Sequence, residues 1–357
     1  MNNLRMVKLG DIVSITPTSV TPDKTMADLP HVGSDSISSG TGTINGWRTI
    51  EEDNAVSSKY IFDTGDILYS KIRPYLNKVA IVNFGGLCST EILPIKLKDS
   101  NFYDHYIYHL LKSPKFLQYA KAHSSGANIP RINKAKILEF SFWAPCLLEQ
   151  KKIAFILNKI QSIQEMRERQ LITFDRLKHS LLQETIKSSI IQEIPVGKVI
   201  SLKNGSFLPA KKQDGGKFPV YGGNGVNGSH SQYMVEEPTI IIGRVGAYCG
   251  SVHITRPKSW VTDNALIVTI QTEGILQKYL AHVLHSINLN QYANRSGQPS
   301  ISATRIKDIT IPIVPLTEQE KFTKNINNID RQIYLIRKSL EEDKALFVSL
   351  QSVLFDN

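Results

Sequence analysis

In the C-terminal stretch of the chain, apolar residues recur in steps of four and three. They fall at Phe322, Ile326, Ile329, Ile333, Ile336, Leu340, Phe347, Leu350 and Leu354, with only Asp343 breaking the row. That is a heptad seam without Gly or Pro, and it predicts one helix over 317–357. Its opening, Thr317-Glu318-Gln319-Glu320, has the spacing of a capping box. Such a helix would run about 55 Å and carry one narrow apolar stripe, so it needs a partner. A second run supplies one. After Glu149-Gln150, apolar residues recur at Ile153, Ile156, Leu157, Ile160, Ile163, Leu171, Phe174, Leu177 and Leu181. The spacing predicts a long helix over 148–190 that pairs with the first within one chain.

Residues 1–147 carry a different pattern. Val7 to Val13 is a short opening element, and Thr16 to Asn45 is polar, Pro-broken and loop-dominated. Gly65 to Ser70, Val79 to Val82 and Ile92 to Leu97 read as strands. Tyr103 to Ala122 is helical in pattern, and Ile137 to Trp143 fits a closing strand. Residues 191–316 repeat that order. Ile194 to Ile200 echoes the opening element, Thr239 to Arg244 the strand after Gly65, and Asn264 to Val268 the strand from Glu91. A helix over Leu276 to Asn288 comes next, then a closing strand over Ile309 to Ile313. Pro130 and Pro299 are 169 residues apart, as are Glu149 and Glu318, whereas Gly10 and Gly197 are 187 apart. The second copy is therefore shorter in its first half. The expected architecture is α+β: two similar mixed α/β domains joined by two long coiled-coil helices, in a pseudo-two-fold repeat.

Charge adds a partner class. The net charge is +10, with 16 Lys/Arg against 13 Asp/Glu over 1–148, 8 against 5 over 149–190, and 12 against 7 over 191–317. The remaining residues carry 6 against 7, so the excess sits on the two globules and the helix between them. A polyanion is the matching partner. Three widely separated cysteines, Cys88, Cys146 and Cys249, suit neither a disulfide framework nor a zinc site and point to a reducing cytoplasm. No apolar run has the length of a membrane span, and the opening residues lead into no signal-peptide core.

Catalytic motifs are missing from the sequence. There is no GxxxxGK[ST], HExxH or GxSxG, and no Asn/Asp-Pro-Pro-aromatic motif. Gly223 to Gly228 matches GxGxxG by letter, but the next residues, Ser229 to Tyr233, do not open a phosphate-cradling helix, and a tight turn is expected there. Polar clusters in matched places look instead like a recognition surface. Lys71, Arg73, Tyr75, Asn77 and Lys78 lie just past a strand in the first globule, with Asn128 and Arg131 in its later polar loop. Arg244, Tyr248, Thr262, Asp263 and Asn264 hold the equivalent place in the second, with Asn224, Arg295 and Gln298 alongside. Arg reads guanine edges, Asn and Gln read adenine edges, and Lys mainly meets phosphate. These residues taken alone leave open a stand-alone coiled-coil DNA-binding or scaffold protein with no methyltransferase partner.

Four stretches carry a resemblance. They are Tyr221 to Gly225, Ile242 to Gly250, Thr262 to Ala265, and Pro312 to Glu320. Together with the globule–helix–globule–helix order they resemble the specificity subunits of type I restriction–modification enzymes. The first globule matches more loosely, through Gly65 to Leu68 and Ile129 to Ile132. The resemblance implies two target-recognition domains, each reading half of an asymmetric bipartite site in double-stranded DNA, with the two long helices as an antiparallel spacer. It implies two methyltransferase subunits using S-adenosylmethionine, and motor-nuclease subunits using ATP and Mg. This chain itself would be non-catalytic and bind no cofactor.

Overall fold

The computed structural model describes residues 4–355. They fall into two compact units, one of residues up to Glu168 together with those from Arg337, the other of Arg169–Ile336.

The first unit is built on an antiparallel four-stranded sheet. Its strands, Val13–Ser14, Ile67–Ser70, Val79–Ile81 and Ile92–Leu97, lie in the order first, fourth, second, third. Side chains alternate between two buried faces. Ile67, Tyr69, Val79, Leu93 and Ile95 join a core with the helix Asp104–Lys112. Leu68, Ala80 and Ile92 join another core, beneath a five-stranded sheet. Burial on both faces is why these strands read as continuous apolar runs.

The second unit repeats the device. Strands Ile200–Asn204, Ile240–Gly243, Val252–Ile254 and Ala265–Ile270 take the same first, fourth, second, third order. Ile240 and Ile242 face one core, Ile241 the other. In both units the opening strand pairs antiparallel with the closing one, Arg5–Lys8 with Ser141–Ala144 and Gln192–Pro195 with Thr310–Ile313.

The long helices run Leu147–Ser189 and Leu316–Phe355. Within the first unit Arg167 meets Ser339 and Asp343, while Ala154 and Leu157 share a core with Leu354 and Phe355, so the two segments run antiparallel. Asp343, the break in the heptad row, is thus the ion-pair partner of Arg167. Within the second unit Lys178 meets Asp330 at 2.6 Å and Leu182 shares a core with Phe322 and Ile326, again antiparallel.

Two glutamines fasten these helices to their globules. Gln150 Oε1 accepts from the Tyr103 amide (3.0 Å), and its Nε2 donates to the carbonyls of Asn101 and Pro145. Gln319 does the same in the second unit, with the Leu276 amide (2.8 Å) and the carbonyls of Gly274 and Val314. Both side chains are completely buried.

Several expectations change in detail. Tyr103–Ala122 is two helices, broken where Ser113 caps the second one and Pro114 removes an amide donor. Lys134–Glu139 is helical, so the closing strand starts only at Ser141. The stretch Thr16–Asn45 contributes Ser19–Val20 and Pro30–Val32 to the five-stranded sheet. The second long helix starts at Leu316, just after Pro315, so Thr317 lies in its first turn rather than at its cap. Ile156 and Ile163 face outward, because Gln150, Asn158 and Gln161 take inward positions through hydrogen bonds that an apolar count misses, and Leu177 further along is exposed as well.

Candidate nucleic-acid interface

The polar clusters occupy one place in both sheets, just beyond the paired ends of the second and fourth strands. In the first unit the Lys71 amide donates to the Glu91 carbonyl (2.9 Å), and the Lys71 carbonyl accepts from the Ile132 amide (3.0 Å). In the second the Arg244 amide donates to the Asn264 carbonyl (2.8 Å), and the Arg244 carbonyl accepts from the Ile301 amide (2.8 Å). Each cation is therefore held by a neighbouring strand end and by a later loop. The loop after it is also repeated. The Arg73 amide donates to Pro130 and the Gly246 amide to Pro299, at 2.7 and 2.9 Å.

Backbone angles extend the match. Gly246 and Gly250 have φ of +81° and +86°, and the residues in their places in the first unit, Arg73 and Asn77, have +46° and +49°. A side chain in this left-handed region costs roughly 1–2 kcal/mol. The first unit thus holds an arginine where glycine fits the backbone better. Between those residues an exposed tyrosine stands in each loop, Tyr75 (49%) and Tyr248 (55%).

A model described as the type I restriction modification DNA specificity domain matches residues 1–173 and again 191–343. The chain belongs to this family. It carries two copies of the specificity domain, the first running into the first long helix and the second starting just after that helix ends. Among curated proteins it is similar to the EcoDI specificity subunit of Escherichia coli, at 30% identity over 53% of this chain and 43% of that one. It is also 29% identical to the E. coli EcoprrI specificity subunit, over 44% of this chain and 34% of that one. Each of these matches spans less than half of the relative's length. A specificity subunit from M. genitalium shares the fold with a TM-score of 0.69 and 17% identity, over 99% of this chain and 96% of that one.

In the first specificity domain the structure brings Lys71, Arg73 and Arg131 to one sheet end. Arg131 Nη2 lies 3.4 Å from Glu91 Oε1, and Lys71 Nζ 3.7 Å from Glu91 Oε2. Lys71, His123, Arg131 and Lys134 are among the residues lining a cleft of about 490 Å³. The Arg73 guanidinium has no ion-pair or hydrogen-bond partner among the described residues. Asn128 is exposed in the adjoining loop. Asn77 and Lys78 are used internally instead. Asn77 Nδ2 donates to the Lys112 carbonyl (2.9 Å), and Lys78 Nζ to the Ser34 carbonyl (2.6 Å).

In the second specificity domain Arg244 Nε donates to the Asp263 carbonyl at 2.7 Å, which aims the guanidinium. Asn264 is exposed beside it, whereas Thr262 is buried. Gly223-Asn224 is the two-residue turn of a hairpin, with Gly222 paired to Gly225, so the GxGxxG letters mark a turn. The Gly223 carbonyl accepts from Ser251 Oγ, which brings exposed Asn224 to the same end. Arg295 donates to Asn290 Oδ1 (3.1 Å), and Asn290 to the Cys249 carbonyl (2.8 Å), beside Tyr248. Gln298 is exposed in the loop that pairs with Gly246. Glu91 escaped the sequence reading, although its spacing of 173 from Asn264 equals that of Lys71 from Arg244.

Among the described residues no helix is long and apolar enough to cross a membrane, and no group of three or more His, Cys, Asp or Glu could hold a metal ion. Cys88, Cys146 and Cys249 are free thiols.

Proposed function

We propose that this chain is the DNA-reading subunit of a type I restriction–modification complex. Each specificity domain reads one half of an asymmetric bipartite site in double-stranded DNA. Lys71, Arg73, Tyr75, Asn128 and Arg131 face one half, and Asn224, Arg244, Tyr248, Asn264, Arg295 and Gln298 the other. Cations and amides at fixed positions suit base edges and phosphates. The long helices set the gap between the halves and dock two methyltransferase subunits, with motor-nuclease subunits completing the complex. S-adenosylmethionine, ATP and Mg belong to those partners, so this chain carries recognition and no chemistry.

One observation carries the reading. The same loop recurs in both domains, with a pinned cation and an exposed tyrosine at equivalent positions. In the first domain it also tolerates a left-handed arginine whose guanidinium has no ion-pair or hydrogen-bond partner among the described residues. Backbone strain of this kind is kept where the side chain has work outside the fold.

Long-read methylation mapping tests the proposal, in cells with and without this gene and with its genomic neighbours retained. The expected result is loss of N6-methyladenine at one asymmetric bipartite motif. Retention of every methylated motif, in cells where the neighbouring methyltransferase is active, contradicts it.

A further inference from the structure

The repeat matches Glu91 with Asn264. Each offers its backbone carbonyl to the amide of the pinned cation, Lys71 or Arg244, and each immediately precedes the fourth strand of its sheet. The two domains thus hold chemically different side chains at one structural position, beside one type of neighbour. Asn offers a donor and an acceptor, while an ionised carboxylate only accepts.

Glu91 is also an unusual group for a surface that meets a polyanion. Its carboxylate stands between Lys71 (3.7 Å) and Arg131 (3.4 Å), beside a cationic cleft. Its Oε2 is buried beside Lys71, whereas the side chain as a whole keeps 31% of its surface exposed, with Oε1 toward Arg131. A carboxylate facing phosphate is costly, and the acceptor capacity left on its exposed side suits a donor supplied by the ligand. In the major groove such donors are the exocyclic amino groups, N4 of cytosine and N6 of adenine.

We infer that Glu91 and Asn264 are the paired specificity determinants of the two domains. Glu91 accepts from a base amino group in one half-site, and Asn264 makes a donor–acceptor pair with adenine in the other. Lys71 and Arg131 hold the Glu91 carboxylate and offset its charge near phosphate. The inference rests on the DNA-reading role proposed above and assigns the residues that make the two half-sites differ.

Selection from random duplex DNA with the full chain tests it, using wild type, Glu91→Gln and Asn264→Asp, each checked for cooperative melting. Both changes keep side-chain shape. Glu91→Gln is expected to alter base preference at a position in one half of the motif only, with discrimination there falling about tenfold to a hundredfold. Asn264→Asp is expected to alter the other half only. If both variants select the wild-type motif, even with every affinity shifted equally, the inference fails and the DNA-reading role stands. Uniformly tighter binding by Glu91→Gln would make Glu91 only a neutraliser of Lys71 and Arg131. If the wild-type chain enriches no sequence, the DNA-reading role fails as well. Should Glu91→Gln not melt cooperatively, Glu91→Asp, which keeps the charge and shortens its reach, takes its place, and an unchanged motif in that variant removes Glu91 from the reading set.

Discussion

Replacing Arg73 by glycine separates folding from recognition at one residue. The backbone there has φ +46°, and glycine already occupies the matching place at Gly246 with φ +81°. Relief of the left-handed conformation is worth roughly 1–2 kcal/mol. Against it stands the extra freedom of glycine in the unfolded chain, roughly 0.5–1 kcal/mol. The guanidinium has no partner within the described chain, so its removal adds no further cost. The net expectation is a first unit as stable as before, or more stable by up to about 1.5 kcal/mol. Recognition should weaken, because one cation leaves the surface. If Arg73 meets phosphate, the slope of log affinity against log salt falls by about 0.9. Urea unfolding gives the first quantity, and fluorescence anisotropy on target duplex across a salt series gives the second. Destabilisation by more than about 1 kcal/mol would mean that the arginine serves the fold. Unchanged DNA affinity would remove it from the interface.

The fold yields three further expected outcomes. Gln319→Met strands the Leu276 amide and two carbonyls in a buried site and should cost the second unit about 2–4 kcal/mol in urea unfolding; a loss below about 0.5 kcal/mol would show that the glutamine lock holds nothing. Burial pushes Lys112 down to about 7 from its ordinary 10.5, with the charge of Glu165 opposing. Between those values the folded chain binds fewer protons than the unfolded one, so the first unit should gain stability as pH rises from about 7 to about 10.5. Lys112→Met should flatten that rise, and a rise left unchanged in the variant would place its source elsewhere. Inserting one heptad after Glu168 and another after Ile336 adds about 10.5 Å to both helices. The gap between half-sites should grow by roughly three base pairs at 3.4 Å each, with both half-sites conserved, and methylation mapping of the variant reads it directly.

The fold was legible to different depths for physical reasons. The long helices announced themselves because the seam of the second one is nearly all apolar: Phe322, Ile326, Ile329, Ile333 and Leu340 are all buried. The apolar spacing of the first helix gives its length but partly the wrong face, since Gln150, Asn158 and Gln161 turn inward and are satisfied by hydrogen bonds. Its Glu149-Gln150 pair, matched at 318–319, is visible as an offset. Its meaning as a buried lock is not, because a glutamine's burial depends on distant carbonyls. The matching strands of the two sheets are legible through the repeat, but the five-stranded sheet is not. Its strands at Ser19–Val20 and Pro30–Val32 are too short to show a period. At the candidate interface the residue types point to Lys71, Arg131, Arg244 and Asn264. Adjacency in sequence groups Asn77 and Lys78 with them, although a left-handed turn directs both side chains to internal carbonyls. Glu91 is brought in by cross-strand pairing, and in the sequence only its offset of 173 from Asn264 marks it.

The central claim is that each specificity domain reads its own half-site, and Arg244→Ala tests it most directly. Arg244 is fixed to Asn264, Asp263 and Ile301 within the second domain. Methylation mapping of cells carrying this variant should show relaxed or lost sequence preference in one half of the bipartite motif, with the other half and the gap unchanged. Loss of preference in both halves with the chain still folded, or an unaltered motif, would contradict the account.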